Sequence, residues 1–336
     1  MKTNKDMYYN TIHIPALIET GEGILQDLDT LLESSHLYFP EKILITQENL
    51  YEIFKDKLSG NDFADIIFCK GGELAEANEI ISRIHDSEAV LMAFGGGSVL
   101  DLVKYVATRI NNPYLTIPST LSNDAIYSSV SRLTVNLKKR SFTVQPPLGV
   151  ILDLSVIRMS PRELILAGAG DLITNLSAVK DWALAHENNG EVVNELACIL
   201  SKQAAMSIWD YSEEKLFDDD FLLDLFHGLV TSGLSMTIAG NSRSCSGSEH
   251  LISHAIDEYF PEKSTMHGIQ VAWAFLEIER QVRKDSEYAV RLQEFYDRTG
   301  LSGVISQLIP WKSEDLPELI TYAKRIRKRY TVLNTV

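Results

Sequence analysis

Ala89-Val-Leu-Met-Ala-Phe94 runs straight into Gly95-Gly-Gly-Ser-Val-Leu-Asp101-Leu-Val-Lys104, and this junction decides the fold. An unbroken apolar run of this length suits a strand buried on both faces. The glycines then allow a tight turn, and Val99–Ile110 carries apolar residues at helical spacing. Four more short runs have the same texture: Lys42-Ile-Leu-Ile-Thr46, Asp65-Ile-Ile-Phe68, Tyr114-Leu-Thr-Ile117 and Gly149-Val-Ile-Leu-Asp153. Helical stretches such as Leu74–His85 lie between them. Strand, helix, strand in repetition predicts a parallel sheet with crossover helices, so residues 1–155 read as an α/β domain.

From about Ser160 the pattern changes. Ala178–His186, Glu191–Ser207, Phe221–Ile238, His250–Tyr259 and Gly268–Lys284 read as helices, with no further convincing strand. Residues 156–336 are therefore expected to form an all-helical domain, with the boundary at Asp153–Ser160, where Pro161 suits the first turn of a new helix. A chain of 336 residues is too long for one ordinary core. With 45% hydrophobic and 23% charged residues it has the composition of a folded globular protein.

Charge and cysteine usage exclude several classes. The 46 acidic against 31 basic side chains give a net charge of −15, which repels nucleic acid and anionic membrane alike. Neither is expected as a partner. Cys69, Cys198 and Cys245 are odd in number and far apart, which argues against a disulfide framework or zinc knuckle and suits the cytoplasm. No apolar run reaches membrane-spanning length, and Met1-Lys-Thr-Asn-Lys-Asp-Met7 has no apolar stretch behind its charges.

Three constellations could carry chemistry. The glycine turn sits where a nucleotide diphosphate meets the free N–H groups of a helix start; a plain strand-to-helix turn is the competing reading. Thr116-Ile-Pro-Ser-Thr-Leu-Ser-Asn-Asp124 leaves another strand at its carboxyl end. Its hydroxyls suit a cofactor and Asp124 a substrate hydroxyl, or they serve only as helix caps. The third set is Asp171, His250, His254 and His267. Only eight histidines exist, and three of them fall within 18 residues. His250 and His254 share one helix face. Two imidazoles and a carboxylate with one open position suit a catalytic divalent ion, although spacing alone does not bring Asp171 near. A basic run, Lys324-Arg-Ile-Arg-Lys-Arg329, reads either as a phosphate or nucleic-acid patch or as a solvated helix end.

Taken in order, Gly95-Gly-Gly-Ser-Val-Leu-Asp-Leu-Val-Lys104, Ile117-Pro-Ser-Thr120, Ser122-Asn-Asp124, Gly170-Asp-Leu-Ile-Thr-Asn175, Ala178-Val-Lys-Asp-Trp182, Ser246-Gly-Ser-Glu-His-Leu-Ile-Ser-His-Ala-Ile-Asp257 and His267-Gly268 resemble the superfamily of iron-containing alcohol dehydrogenases, glycerol dehydrogenases and dehydroquinate synthases. The likeness runs from about Ile12 to Arg329-Tyr-Thr-Val-Leu333 and is greatest to the sn-glycerol-1-phosphate dehydrogenases. It implies a dehydroquinate synthase-like fold: a dinucleotide-binding domain followed by a helical metal- and substrate-binding domain, with nicotinamide and metal in the cleft. Asp171, His250 and His267 match the family's metal ligands. His254 matches a histidine bordering the substrate that relays a proton. Gly95, Gly96, Gly97, Ser98 and Asp101 match the diphosphate loop, and Thr116, Ser119, Thr120 and Ser122 the second cofactor loop. The implied reaction is reduction of dihydroxyacetone phosphate with NAD or NADP and one divalent metal, zinc before nickel or iron, in phospholipid metabolism. Asp124 would orient a hydroxyl, Arg243 or Lys180 would meet the phosphate, and a homo-oligomer is the usual state of such enzymes.

Two motifs depart from the family pattern, at three positions. Asn123 and Ala125 stand where the glycerol-phosphate members carry His and Gly, and Ile269 stands where they carry Glu. A polyol or other alcohol dehydrogenase, a dehydroquinate synthase-like cyclase and a non-catalytic nucleotide-binding homologue remain as alternatives. At the end of the second strand, Thr46-Gln-Glu-Asn49 offers Glu48 for a ribose hydroxyl without excluding NADPH.

Overall fold

The computed structural model describes residues 14–336; the Met1–Met7 segment and Ile12, where the family likeness begins, lie outside the described residues. The chain forms two compact units, Pro15–Ile165 with Phe217–Leu223, and Leu166–Leu216 with Asp224–Val336. It passes from the first to the second inside the helix Arg162–Ile173.

The first unit is built on six parallel strands. They are β1 (Leu17–Gly21), β2 (Lys42–Thr46), β3 (Asp65–Phe68), β4 (Val90–Gly95), β5 (Tyr114–Pro118) and, beyond the hairpin strands β6 (Val130–Val135) and β7 (Lys138–Thr143), β8 (Gly149–Asp153). Their spatial order is β1-β8-β5-β4-β2-β3. All residues of β4, β5 and β8 are buried, the physical reason that these strands read as unbroken apolar runs. One face of the sheet packs Leu44, Met92, Phe94, Leu115, Ile117 and Ile151 into a core with Leu25, Leu28 and Phe54. The strand order reverses between β2 and β4, and ligands of open parallel sheets collect outside the carboxyl ends at such a reversal. Those ends are Thr46 and the glycine turn, with Thr46 in register with Phe94.

The unit holds three strands that the sequence pattern does not announce. β1 pairs with β8 at the edge, half exposed. β6 and β7 form a separate antiparallel hairpin, turning through Asn136 and Leu137, both at positive φ (50° and 67°). A turn of that kind normally shows as Asn-Gly; with Leu137 in the second place the signal is lost. The hairpin is tied to the helix Gly97–Ile110 by a fully buried cation. Lys104 Nζ donates to Ser128 Oγ (3.0 Å) and Val130 O (3.1 Å) and pairs with Asp101 (3.1 Å).

No strand follows Asp153 among the described residues, as the helical texture implies. Beyond the helices expected, Arg162–Ile173, Ser286–Thr299, Leu301–Leu308 and Leu316–Ile326 are helical too. Leu251, Ile252, Ala255 and Ile256 pack with Trp273, Ala274, Leu319, Ile320 and Ala323 in the second unit's core. The 21-residue helix Asp219–Ala239 is apolar and long enough to cross a membrane, but 67% of its most apolar window is buried in protein, the setting of a core helix.

Gly149 begins β8 where three strands crowd together. A Cβ there would stand 2.7 Å from both Leu17 Cβ and Leu17 O. Gly149→Ala is expected to destabilise the protein by about 1–3 kcal/mol through overpacking, measured by urea unfolding; an unchanged midpoint would show that the β1–β8 contact is slack.

Candidate active site

Two helices meet backbone to backbone. A Cβ on Gly170 would stand 2.6 Å from Gly268 O, and one on Gly268 would stand 1.8 Å from Ala167 O. No larger residue fits either position, and the approach sets Asp171 beside His267. The helix Ser248–Tyr259 supplies His250. Its start is capped from outside by a buried carboxylate: Ser248 N donates to Asp181 Oδ2 at 2.6 Å.

The three side chains converge. Asp171 Oδ1 lies 3.5 Å from His250 Nε2 and 3.6 Å from His267 Nε2, and the ligand atoms all fall within 4.8 Å of one another. Four ligands at about 2.1 Å from a cation are about 3.4 Å apart in a tetrahedron, so the spacing fits. Support for each imidazole comes from behind. His250 Nδ1 is 2.9 Å from Glu249 Oε1, and His267 Nδ1 is 3.1 Å from Ser253 Oγ. Holding Nδ1 in this way turns Nε2 toward the shared centre and fixes its lone pair there.

The electrostatics favour positive charge at this point. Burial pushes the His250 imidazolium down, but contact with Asp171 and Glu249 outweighs it, and its pKa is pushed up to about 9. Burial likewise pushes Glu249 up, yet the His250 contact holds it below its usual range. The region behind is a closed ion network. Arg283 pairs with Asp181 (2.7 Å) and Glu279 (2.8 Å), and Lys180 reaches Glu279 at 3.0 Å.

Ile269 is fully buried, and the support that a glutamate there might give His267 is supplied by its neighbour. Gln270 Nε2 donates to Ser253 Oγ (2.9 Å) and Asp257 Oδ1 (3.2 Å), while its Oε1 accepts from Thr265 N (2.8 Å). His254 adjoins the ligands, its ring 6.2 Å from that of His250 and 6.1 Å from that of His267. Arg327 Nη2 lies 3.2 Å from His254 Nδ1. A guanidinium only donates, so Nδ1 accepts and the His254 proton sits on Nε2.

Arg243 and Lys180, expected at a phosphate, are already engaged inside the protein. Arg243 Nε meets Glu191 Oε1 at 2.6 Å and its Nη1 meets Tyr330 O at 2.7 Å. Lys180, besides Glu279, lies 3.4 Å over the Tyr288 ring. The basic run is not a solvated helix end throughout: Arg327 reaches His254, and Arg329 donates to Ser246 O and to Ser242 Oγ. Glu249, Ser253, Gln270 and Arg327 were not singled out as site residues in the sequence. Glu249 carried a signal by adjacency to His250, and Arg327 by its place in the basic run Lys324–Arg329.

In the other compact unit the two loops lie together. Ser119 N donates to Gly95 O at 3.0 Å, a Cβ on Gly96 would touch Thr120 Cγ2 at 3.5 Å, and one on Gly97 would press on Asn123 at 3.1 Å. The helix Gly97–Ile110 starts with no side-chain cap and no acidic residue in its first turn, which suits an anion. Ser98 is exposed beside this start and Ser122 is half-buried. Thr116 is committed elsewhere, its hydroxyl donating to Ile126 O at 2.7 Å. Asp101 holds Lys104 and accepts from Arg132 N at 3.1 Å. Asn123 caps the turn Asp124–Ile126, and Asp124 O accepts from Tyr127 N and Ser128 N.

Residues 19–161 match the family model described as iron-containing alcohol dehydrogenase. A protein from Archaeoglobus fulgidus named glycerol-1-phosphate dehydrogenase, with NAD(P)+ in its name, is 32% identical over 98% of this chain and 95% of its own. One of the same name from Pyrococcus horikoshii is 32% identical over 77% of this chain and 76% of its own. Among solved structures, a probable glycerol dehydrogenase from Sinorhizobium meliloti superposes with a TM-score of 0.74 at 16% identity, covering 97% of this chain and 93% of its own. Glycerol dehydrogenase from Schizosaccharomyces pombe gives 0.73 at 18%, covering 97% and 86%. At that identity the likeness is one of fold.

Asp171→Asn and His250→Ala are expected to lose bound divalent metal, and Glu249→Gln to weaken its affinity about 10–100-fold while the fold persists. Metal analysis after equilibrium dialysis reads this directly. Wild-type metal content in both ligand variants would overturn the assignment.

Proposed function

The chain belongs to the iron-containing alcohol dehydrogenase family, and on that premise we propose that it is a metal-dependent, NAD(P)-linked oxidoreductase that reduces dihydroxyacetone phosphate to sn-glycerol 1-phosphate. The observation that carries the reading is the convergence of Asp171, His250 and His267 on one point. The names of the curated relatives supply the substrate. When bound, the divalent cation supplies Lewis acidity toward a carbonyl and the reduced nicotinamide supplies a hydride.

The chain's own residues do the rest. Asp171, His250 and His267 would hold the cation, with Glu249 and Ser253 fixing the imidazoles. His254 carries its proton at Nε2 and would donate a hydrogen bond to the oxygen of the carbonyl as it is reduced. Asp124 would orient a substrate hydroxyl. Gly95, Gly96, Gly97 and Ser98 would seat the cofactor diphosphate on the helix start, and Ser119, Thr120 and Ser122 would line its other side. Thr116 and Asp101 would serve by shaping these loops, since their polar atoms already have partners. Glu48 is exposed just beyond the carboxyl end of β2, a position that suits a ribose hydroxyl of NAD. Zinc fits the donor set best, with nickel and iron next. Three free, buried cysteines suit a reducing compartment, the cytoplasm.

The test is an assay of purified protein with dihydroxyacetone phosphate, dihydroxyacetone and simple aldehydes, each with NADH and NADPH. Turnover of the phosphate ester is expected to exceed that of dihydroxyacetone on the order of 100-fold or more. Chelation should abolish it and added zinc should restore it. A preference for the unphosphorylated ketone would overturn the substrate, and full activity after verified metal removal would overturn the metal's role.

A further inference from the structure

Arg243 and Lys180, the cations expected at the substrate's phosphate, are each paired with a carboxylate. Accepting that the substrate is phosphorylated, we propose that Arg327 is the specificity-determining residue that binds the phosphate monoester.

Three observations carry it. First, Arg327 reaches the site: its Nη2 is 3.2 Å from His254 Nδ1, and the His254 ring packs beside both ligand imidazoles. A triose phosphate has three bonds between its carbonyl carbon and phosphorus, so a carbonyl at the metal centre puts the phosphate close by.

Second, Arg327 borders an open cavity of about 420 Å³ in the second unit. Lys324, Arg327, Lys328 and Arg329 line it, against the single carboxylate of Glu191. A chain of net charge −15 has gathered four cations there, and like charges so placed repel unless an anion joins them.

Third, Arg327 both lines the cavity and contacts His254, among neighbours that also have named partners. Arg243 is bound to Glu191, Arg329 to Ser246 O and Ser242 Oγ, and Lys324 to Val336 O. Burial above all, and then the nearby Arg327 and Arg243 charges, push Arg329 down to about 10. A guanidinium fork offers paired donors to phosphate oxygens. The bound phosphate would then lie beside His254, whose proton is held at Nε2.

The test compares wild type with Arg327→Gln, Arg327→Lys and, as a control on the exposed face of the same run, Arg325→Gln. The reading is the ratio of kcat/KM for dihydroxyacetone phosphate to that for dihydroxyacetone. R327Q should lower this ratio about 100-fold and R327K about tenfold, as loss of a charge-assisted contact implies; R325Q should leave it unchanged. An unchanged ratio in R327Q, or equal losses on both substrates, would overturn the proposal and leave Arg327 as a support for His254.

Calorimetric titration with inorganic phosphate provides a readout that needs no turnover. Binding is expected in wild type and absent in R327Q at equal metal content; identical isotherms would refute the site. Phosphate binding that R327Q abolishes while leaving the substrate ratio intact also overturns it, because the anion site would then serve free phosphate. Should wild type fail to reduce dihydroxyacetone phosphate, the functional reading falls and the phosphate titration alone decides the role of Arg327. If R327Q does not fold, R327K is read in both arms.

Discussion

The convergence of Asp171, His250 and His267 rests on the contact between two helix backbones at Gly170 and Gly268. Glycine inside a helix costs about 1 kcal/mol relative to alanine, and both positions accept that cost because a Cβ on either would collide with main-chain oxygen. Only at that separation can the carboxylate that follows Gly170 and the imidazole that precedes Gly268 approach to 3.6 Å. His250 then joins from a third helix, whose packing on the second depends on the apolar contacts of Leu251, Ile252, Ala255 and Ile256 with Trp273 and Ala274.

Charge in this unit is arranged by depth. Asp181, Glu249 and Glu279 are buried, and Asp171 is nearly so. A buried carboxylate without a counter-charge is costly. Arg283 serves two of them, Asp181 and Glu279, and Asp181 also accepts from Ser248 N and Val332 N. Asp171 and Glu249 both contact His250, and together they outweigh its burial and raise its pKa. A divalent ion at the convergence point answers the same demand for positive charge.

The legible parts of the fold were those with a single strong physical signature. β2, β3, β4, β5 and β8 read directly because doubly buried strands are continuous apolar runs. β1 was missed because it is short and half exposed. The hairpin was missed because Lys138–Thr143 is almost wholly exposed and charged and its turn lacks glycine. At the site, the scarcity and spacing of histidines pointed to His250, His254 and His267, but nothing in spacing placed Asp171; the family likeness did. Arg327 was hidden inside a basic run whose other members include solvent-exposed Lys324, Arg325 and Lys328. Only the chain's turn after Ile326, where the helix ends, sends Arg327 toward His254 and Arg329 toward Ser246.

The two ligand imidazoles are held by unlike partners, and that difference shapes the centre. His250 donates to a carboxylate, which raises the basicity of its Nε2, whereas His267 donates to a hydroxyl that is itself fed by Gln270. With Ile269 in place of an acid, the carboxylate behind His267 is that of Asp257, reached through Gln270 and Ser253. Asp171 lies equally close to both imidazoles (3.5 and 3.6 Å), Glu249 stands directly behind His250, and Asp257 stands behind His267 at the far end of the Ser253–Gln270 relay. A polarised carbonyl oxygen develops negative charge as hydride arrives, and it is better tolerated where fewer fixed anions surround it. With Ile269 at the position that breaks the family pattern, Ser253, Gln270 and Asp257 form the hydrogen-bonded support behind His267.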